Sequence, residues 1–581
     1  MIMFSLILEM EVFFLLILPK VFFMLFPALL WADILVSYAL FVMQNYLTKV
    51  WNISFVNAAG ILNIWGGISM ILPVFFLFLV DTLLGNRKML LISSISYSLG
   101  IGLVTMSTPP VLADATGTCK DYSPKCIHRP QKVLFYIGMS LIAVGVAGNF
   151  VSVKPFLDEQ QVDKEHDSNE AAREFFRLPV FIVVVLVPIV GAVALPFVKP
   201  WSLRFGIPAI FTAAATLLFL SGVFLRGSWA YREVTPQGSP ITSVCRVFFA
   251  AACKISQPFP HDDDRDLYLY RENGLENDGF RKTRILRCLE KAAIILPNES
   301  PDKGWRLCSI SEVEDAKIVV RMFPMWTTFI VCGIVSSFGN TYFIEQANRM
   351  NRRIGNWKVP LQVLLLLSQW AKKFLFTSWA KRLLKKYGKH GPPMGIAVAM
   401  IFSILCCITA AKMELRRLKV IEKHGLLEFP DKNVPMSVFL LLFQFILLAG
   451  LDTFFEMSVT EFYKDQSPEC MSKYLSCFAR GVSGLGFMSS VLSVYVVGKL
   501  SEAGGNKSWF QHTLNKSRLD RYYWVLAGLS TVNLVMFMLV ACCYRYKTPK
   551  GPERNAESPP RGVTAIPPDE NGSNQFFNSF G

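Results

Sequence analysis

Apolar runs of about twenty residues alternate with short polar intervals along nearly the whole chain, and one polar interval, Arg226 to Lys317, is far longer than the others. It carries Arg232, Arg246, Lys254, Arg271 and Arg284 among scattered acids, so it cannot lie in hydrocarbon, where each charge costs roughly 2.5 kcal/mol or more. On each side stand about six apolar runs long enough to cross a hydrocarbon core of about 30 Å at a rise of about 1.5 Å per residue. The pattern predicts spans over 21–46, 56–80, 89–106, 133–153, 178–197 and 204–225, then over 318–345, 359–379, 394–411, 436–463, 477–497 and 522–544. The expected fold is all-α and integral to the membrane, with about 12 transmembrane helices. Its expected parts are an apolar segment over 1–20, a first six-helix bundle over 21–225, a basic cytosolic linker over 226–317, a second six-helix bundle over 318–544 and a disordered tail over 545–581. The excess of Lys and Arg assigns the linker to the cytosol, and an even number of crossings brings both termini to that side. The apolar start contains Glu9 and Glu11 and lacks both a basic beginning and a small-residue cleavage site, unlike a signal peptide. It reads either as an interfacial helix or as a start foreign to the functional protein.

Composition sharpens the class. With 52% hydrophobic and only 18% charged residues over 581 positions, the chain is a multi-spanning membrane protein rather than a soluble one. A net charge of +16 would suggest nucleic acid in a soluble chain; here basic loops mark the cytosolic side and contact anionic lipid headgroups, so lipids are expected partners and nucleic acid is not. The 13 cysteines form no zinc-type pair of CxxC groups, and no phosphate-binding Gly loop or nucleophile–base set is present. No metal, no cofactor and no enzymatic activity are expected. Cys119 and Cys126 share a predicted outer loop and could form a disulfide there. Glycosylation sequons at Asn52, Asn506 and Asn515 also fall on the predicted outer side.

Charges inside spans are the candidate chemistry. Asp33 is the one acid of span 1, and it either faces a cavity or pairs with a neighbouring helix. Span 10 holds Asp452, Glu456 and Glu461, and the first two lie four apart on one helical face. Span 8 holds Lys372 and Lys373, about two turns before a basic cluster; snorkelling to the headgroups is the preferred reading, and the other is a positive charge in a pathway. Asp81, Gly85, Arg87 and Lys88 make a tight turn between spans 2 and 3, and Lys154 ends span 4. These five read as a cytosolic latch that meets the opposite bundle.

Several stretches together resemble the plant nitrate/peptide transporter family, the plant branch of the proton-dependent oligopeptide transporters in the major facilitator superfamily. They are Asn63-Ile-Trp65-Gly-Gly67 with Pro73 and Asp81-Thr-Leu-Leu-Gly85, Phe205-Gly-Ile-Pro208, Gly238-Ser-Pro240, Glu461-Phe462 with Asp465-Gln466, Arg518-Leu-Asp520 and Tyr523-Trp524 with Gly528. The resemblance implies a major facilitator fold of two six-helix bundles about a midplane site, alternating access, and symport of a small solute with protons. It adds Asn63, Trp65, Glu345 and Gln346 to the candidate pathway. The family's span 1 motif, Glu-x-x-Glu-Arg, aligns with Leu29, Ala32 and Asp33, so both its carboxylates and its arginine are absent. Its span 4 lysine falls at Val151. Losing both partners of an ion pair together avoids stranding a buried charge. The expected function is secondary active transport of nitrate, a short peptide or another small organic anion or zwitterion, proton-coupled through Asp33 and Asp452. An uncoupled facilitator and a non-transporting membrane receptor are the alternatives. The resemblance implies the plasma membrane first and the vacuolar membrane second.

Overall fold

The computed structural model describes residues 20–117, 119–161, 195–224, 238–257, 286–295, 305–429, 432–467 and 469–544. The apolar start to residue 19, nearly all of the predicted fifth span and the tail from 545 lie outside the described residues.

Helix α1 (Lys20–Lys49) leads through a short turn into α2 (Phe55–Leu79), which Ser54 caps by accepting from the Asn57 N–H at 3.2 Å. The apolar helical stretch Phe55–Met106 is 52 residues long, about 78 Å if straight, and so must contain two crossings. The break is a π-helical turn, Val80–Leu84, followed by Gly85 at φ 72°, backbone that favours a residue without Cβ. The chain then returns as α3 (Gly85–Met106), followed by the short α4 (Pro109–Thr116). Cys119 and Cys126 are joined as a disulfide before α5 (Arg129–Gln161), and α6 (Trp201–Phe224) follows beyond the undescribed interval. In this first bundle α3 packs on α5 and α6, α1 packs on α6, and α2 packs on α5. Tyr46, Trp51, Phe135, Trp201 and Phe205 form an aromatic core between α1, α5 and α6, with the Tyr46 ring 5.3 Å from both Trp201 and Phe205.

The linker contains α7 (Pro240–Cys253), capped by Ser239, and a 3₁₀ turn, Arg287–Ala293, packed against it. Arg246 on α7 is ion-paired with Glu312 of the next helix. That helix, α8 (Ile310–Asn340), begins eight residues before the predicted span. Its first turns carry Glu312, Glu314, Asp315 and Lys317, which read as loop in sequence. Folded, Ser309 and Glu312 close a capping box, and the buried Lys317 amine donates to Glu290 and Glu314 at 2.8 Å each. The second bundle continues through α9 (Tyr342–Asn348), α10 (Leu361–Trp370), a π-helical turn at Ala371–Phe376, α11 (Thr377–Tyr387) and α12 (Gly391–Lys423). It ends with α13 (Leu442–Gln466), α14 (Glu469–Ser501) and α15 (Leu519–Cys543). Helix α12 packs on α13 and α15, and α8 packs on α14.

The fold is all-α apart from very short strands. Strand β1 (Met350–Asn351) pairs in parallel with β4 (Val434–Ser437), and β2 (Arg353–Ile354) pairs antiparallel with β3 (Trp357–Lys358). The two bundles meet chiefly where α2 crosses α14. Gly67 and Gly484 set that approach: a Cβ built on Gly67 would stand 2.6 Å from the Gly484 carbonyl oxygen, so neither position has room for a side chain.

Candidate functional site: a cavity between the bundles

Two contiguous lobes lie between the bundles, of about 230 and 220 Å³. They share Met70, Phe150, Asn340, Gln369, Arg480 and Phe487. The first lobe is mostly apolar, with Leu40, Phe41, Leu62 and Trp65 on its wall; the second holds the charge, from Lys372, Asp452, Glu456 and Arg480.

The four-residue spacing in α13 turns both Asp452 and Glu456 to this second lobe. Asp452 accepts a hydrogen bond from the Ser336 hydroxyl of α8 at 3.0 Å. Glu456 is met by the Lys372 amine at 3.4 Å. This overturns the snorkelling reading for Lys372. The π-helical turn at Ala371–Phe376 inserts an extra residue into the helical register, and Lys372 lies in it with its side chain on the cavity wall, while Lys373 is absent from that wall and its amine lies 6.0 Å from the Phe374 ring. Lysines adjacent in sequence point about 100° apart, and here only Lys372 is turned to the lobe.

Asn63 lines the first lobe and ties the bundles together, its amide donating to Ser490 of α14 at 3.1 Å. Trp65 lines it too, held by its indole N–H on the Met139 carbonyl at 2.7 Å. Glu345 and Gln346 do not line either lobe. Glu345 is buried against Arg349 at 3.0 Å, and Gln346 donates to Glu414 within a fully buried group that includes Arg417 and Gln444. Their polarity secures helix packing outside the cavity. Glu461 is also off the lining, half-exposed and 3.6 Å from Lys464: Val459 and Thr460 still line the lobe, and the next position is rotated away from it by about 100°. The side chain of Asp33 lies outside the described residues.

At the end of the bundles where the linker packs, Asp81 accepts a hydrogen bond from the Tyr474 phenol of α14, and Tyr474 accepts one from Ser239 at 2.8 Å. The Gly238 N–H donates to the Asp81 carbonyl oxygen at 3.0 Å. One contact thus joins the first bundle, the linker and the second bundle, and it runs through a phenol that the charge pattern did not single out. Lys154 is exposed on α5. At the opposite end Asn52 and Asn506 are exposed, whereas Asn515 is buried, accepting from Arg417 at 3.0 Å and donating to the Leu426 carbonyl at 3.3 Å. The folded chain has no room for a glycan on Asn515.

Arg480 is the cavity residue that the sequence reading missed. Its guanidinium carbon lies 4.0 Å from the centre of the Phe150 ring of α5, across the gap between bundles, and its Nε is buried with no hydrogen-bond partner among the described residues. An arginine inside predicted span 11, in its first turn, was the available signal.

Comparison with known proteins decides the class of molecule this cavity belongs to. Residues 87–510 match the family described as PTR2, POT family. The chain belongs to the POT family. It is 37% identical over 530 residues to the Arabidopsis thaliana protein NRT1/PTR FAMILY 5.5, covering 89% of this chain and 95% of that relative. It is 30% identical to NRT1/PTR FAMILY 5.6 of the same plant, over 87% of each chain. These place it in the plant nitrate/peptide branch. The fold is that of the crystal structure of the POT family transporter PepTSo, with a TM-score of 0.56 at 15% identity over 90% of this chain and 98% of that one. It is shared equally by a POT family transporter solved with 5-aminolevulinic acid, with a TM-score of 0.53 at 10% identity over 89% and 95% of the two chains. The POT-family chain is therefore a multi-pass membrane transporter of the major facilitator fold and not an enzyme.

Proposed function

We propose that this POT-family chain is a secondary active transporter that carries a small organic anion, zwitterion or nitrate together with protons, the two bundles rocking about the cavity. The observation that carries this reading is the placement of Asp452, with Glu456, Lys372 and Arg480, on the wall of a cavity between the bundles. A carboxylate there can take a proton on the acidic side of a membrane and give it up on the other. Asp452 is the proton carrier in this proposal, held when ionised by the Ser336 hydroxyl. The linker end is cytosolic, the termini share that side, and the plasma membrane is the site of action.

The test is uptake by oocytes expressing the full chain, with the accumulated solutes identified by mass spectrometry at acid and neutral external pH. Acid-stimulated accumulation with an inward current is the expected result, and Asp452→Asn should remove the stimulation. Equal uptake at both pH values by wild type and variant would reject the proton role. A second reading, an uncoupled facilitator, draws on the first bundle: no charged side chain from it lines the cavity among the described residues. Substrate flux without proton current would establish that reading instead.

A further inference from the structure

We propose that Arg480 is an anion anchor: the solute taken by this cavity carries a carboxylate or a comparable planar oxyanion, bound by the Arg480 guanidinium, while the uncharged body of the solute fills the apolar lobe. The proposal rests on the transport reading above and adds to it the binding group.

Four charged side chains stand on the cavity wall among the described residues, and three of them have partners. Lys372 and Glu456 face each other at 3.4 Å, and Asp452 accepts from Ser336. Arg480 makes no hydrogen bond or ion pair with any described residue, and its Nε is shut off from solvent. A guanidinium on a cavity wall with no acceptor, one of its nitrogens shut off from water, is costly, and a counter-anion in the cavity offsets that cost. Its one close contact, the Phe150 ring, meets the guanidinium through its carbon, which leaves the N–H groups around the rim available. Those groups form the planar fork that matches a carboxylate or another planar oxyanion.

The position fits a ligand that spans both lobes. Arg480, Asn340 and Gln369 line each lobe, so an oxyanion on Arg480 sits at their junction with amide groups beside it. From there the apolar lobe continues toward Leu62 and Trp65, and two further buried polar atoms, the Tyr38 hydroxyl and the Gln362 Oε1, have no partner among the described residues. Polar atoms left unpaired in a cavity wall are the ordinary mark of a place filled by ligand or water.

The experiment uses the full chain in lipid nanodiscs, with thermal unfolding and calorimetry against nitrate, dialanine and dialanine amide, the last having the same body without a carboxylate. Wild type should be stabilised by nitrate or by dialanine and not by the amide. In Arg480→Gln the apparent Kd for that anion should rise about tenfold or more, and in Arg480→Lys, which keeps charge but loses the fork, by an intermediate factor. Phe150→Leu, which removes only the ring seat, should weaken binding about threefold and keeps the test available if Arg480→Gln does not fold. Stabilisation by neither anion, equal stabilisation by the amide, or wild-type affinity in the Arg480 variants would overturn the anchor. Oocyte flux separates the two readings: transport confined to uncharged solutes leaves the transporter standing and removes the anchor. Anion binding lost in Arg480→Gln, in a wild type that shows no flux, does the reverse.

Discussion

The two walls of the cavity are unlike. The first bundle presents Ser37, Tyr38, Asn63, Trp65 and a set of aliphatic and aromatic groups, with no charge among the described residues. The second presents two acids and two bases from three different helices, α13, α14 and the π-helical turn before α11. Charges confined to one rigid bundle keep their mutual distances when the bundles rock, so an ion pair such as Lys372 with Glu456 need not be pulled apart as the cavity opens and closes. An ion pair divided between the bundles would instead have to break on opening. Here the arginine of the cavity wall, Arg480, stands on α14 and leans on Phe150 of the opposite wall. The lesson is that the first bundle can serve as an apolar, shape-giving wall while chemistry collects on the second.

This contrast can be broken or sharpened by substitution. The largest effect is expected for Asp452→Asn, which should lower acid-stimulated uptake at least about tenfold while leaving surface expression intact; retention of the stimulation would move proton handling elsewhere. Next comes Lys372→Gln, which removes a positive charge from the cavity wall and the partner of the half-exposed Glu456, and should cut transport by about five- to tenfold. The exchanged pair Lys372→Glu with Glu456→Lys should recover much of that loss. No recovery would show that the two act separately. Tyr474→Phe, which removes the phenol from Asp81 and Ser239, should change the maximal rate about two- to fivefold with little change in KM, since the contact joins bundles far from the solute. The smallest effect is expected on the uncharged wall: Tyr38→Phe should alter uptake by no more than about twofold, and a larger loss would make the unpaired Tyr38 hydroxyl a principal contact of the solute.

Which parts of this were readable from the chain follows from the range of the forces concerned. Membrane crossings are decided by the summed transfer energy of about twenty consecutive residues, so the spans stood out, including the break at Gly85. The start of α8 did not, because Glu312, Glu314 and Lys317 read as solvated until Arg246 and Glu290, distant in sequence, supply their partners. The pairing of Asp452 with Glu456 on one face was readable because helical spacing is local. That Glu461 leaves the cavity, and that Gln346 joins a buried group with Glu414, Arg417 and Gln444, depends on where other helices stand.

Hydropathy and charge therefore established the membrane class, the two halves and the helices on which the charged groups ride, since each of these is a property of consecutive residues. Rotation of each helix about its axis is set by packing against its neighbours, and only the assembled bundles could choose Lys372 over Lys373, hand Asp81 to Tyr474, bury Asn515 and leave Arg480 facing an open cavity. A difference of about 100° between adjacent positions separates a side chain in lipid from one in the pathway, and no local pattern resolves that angle.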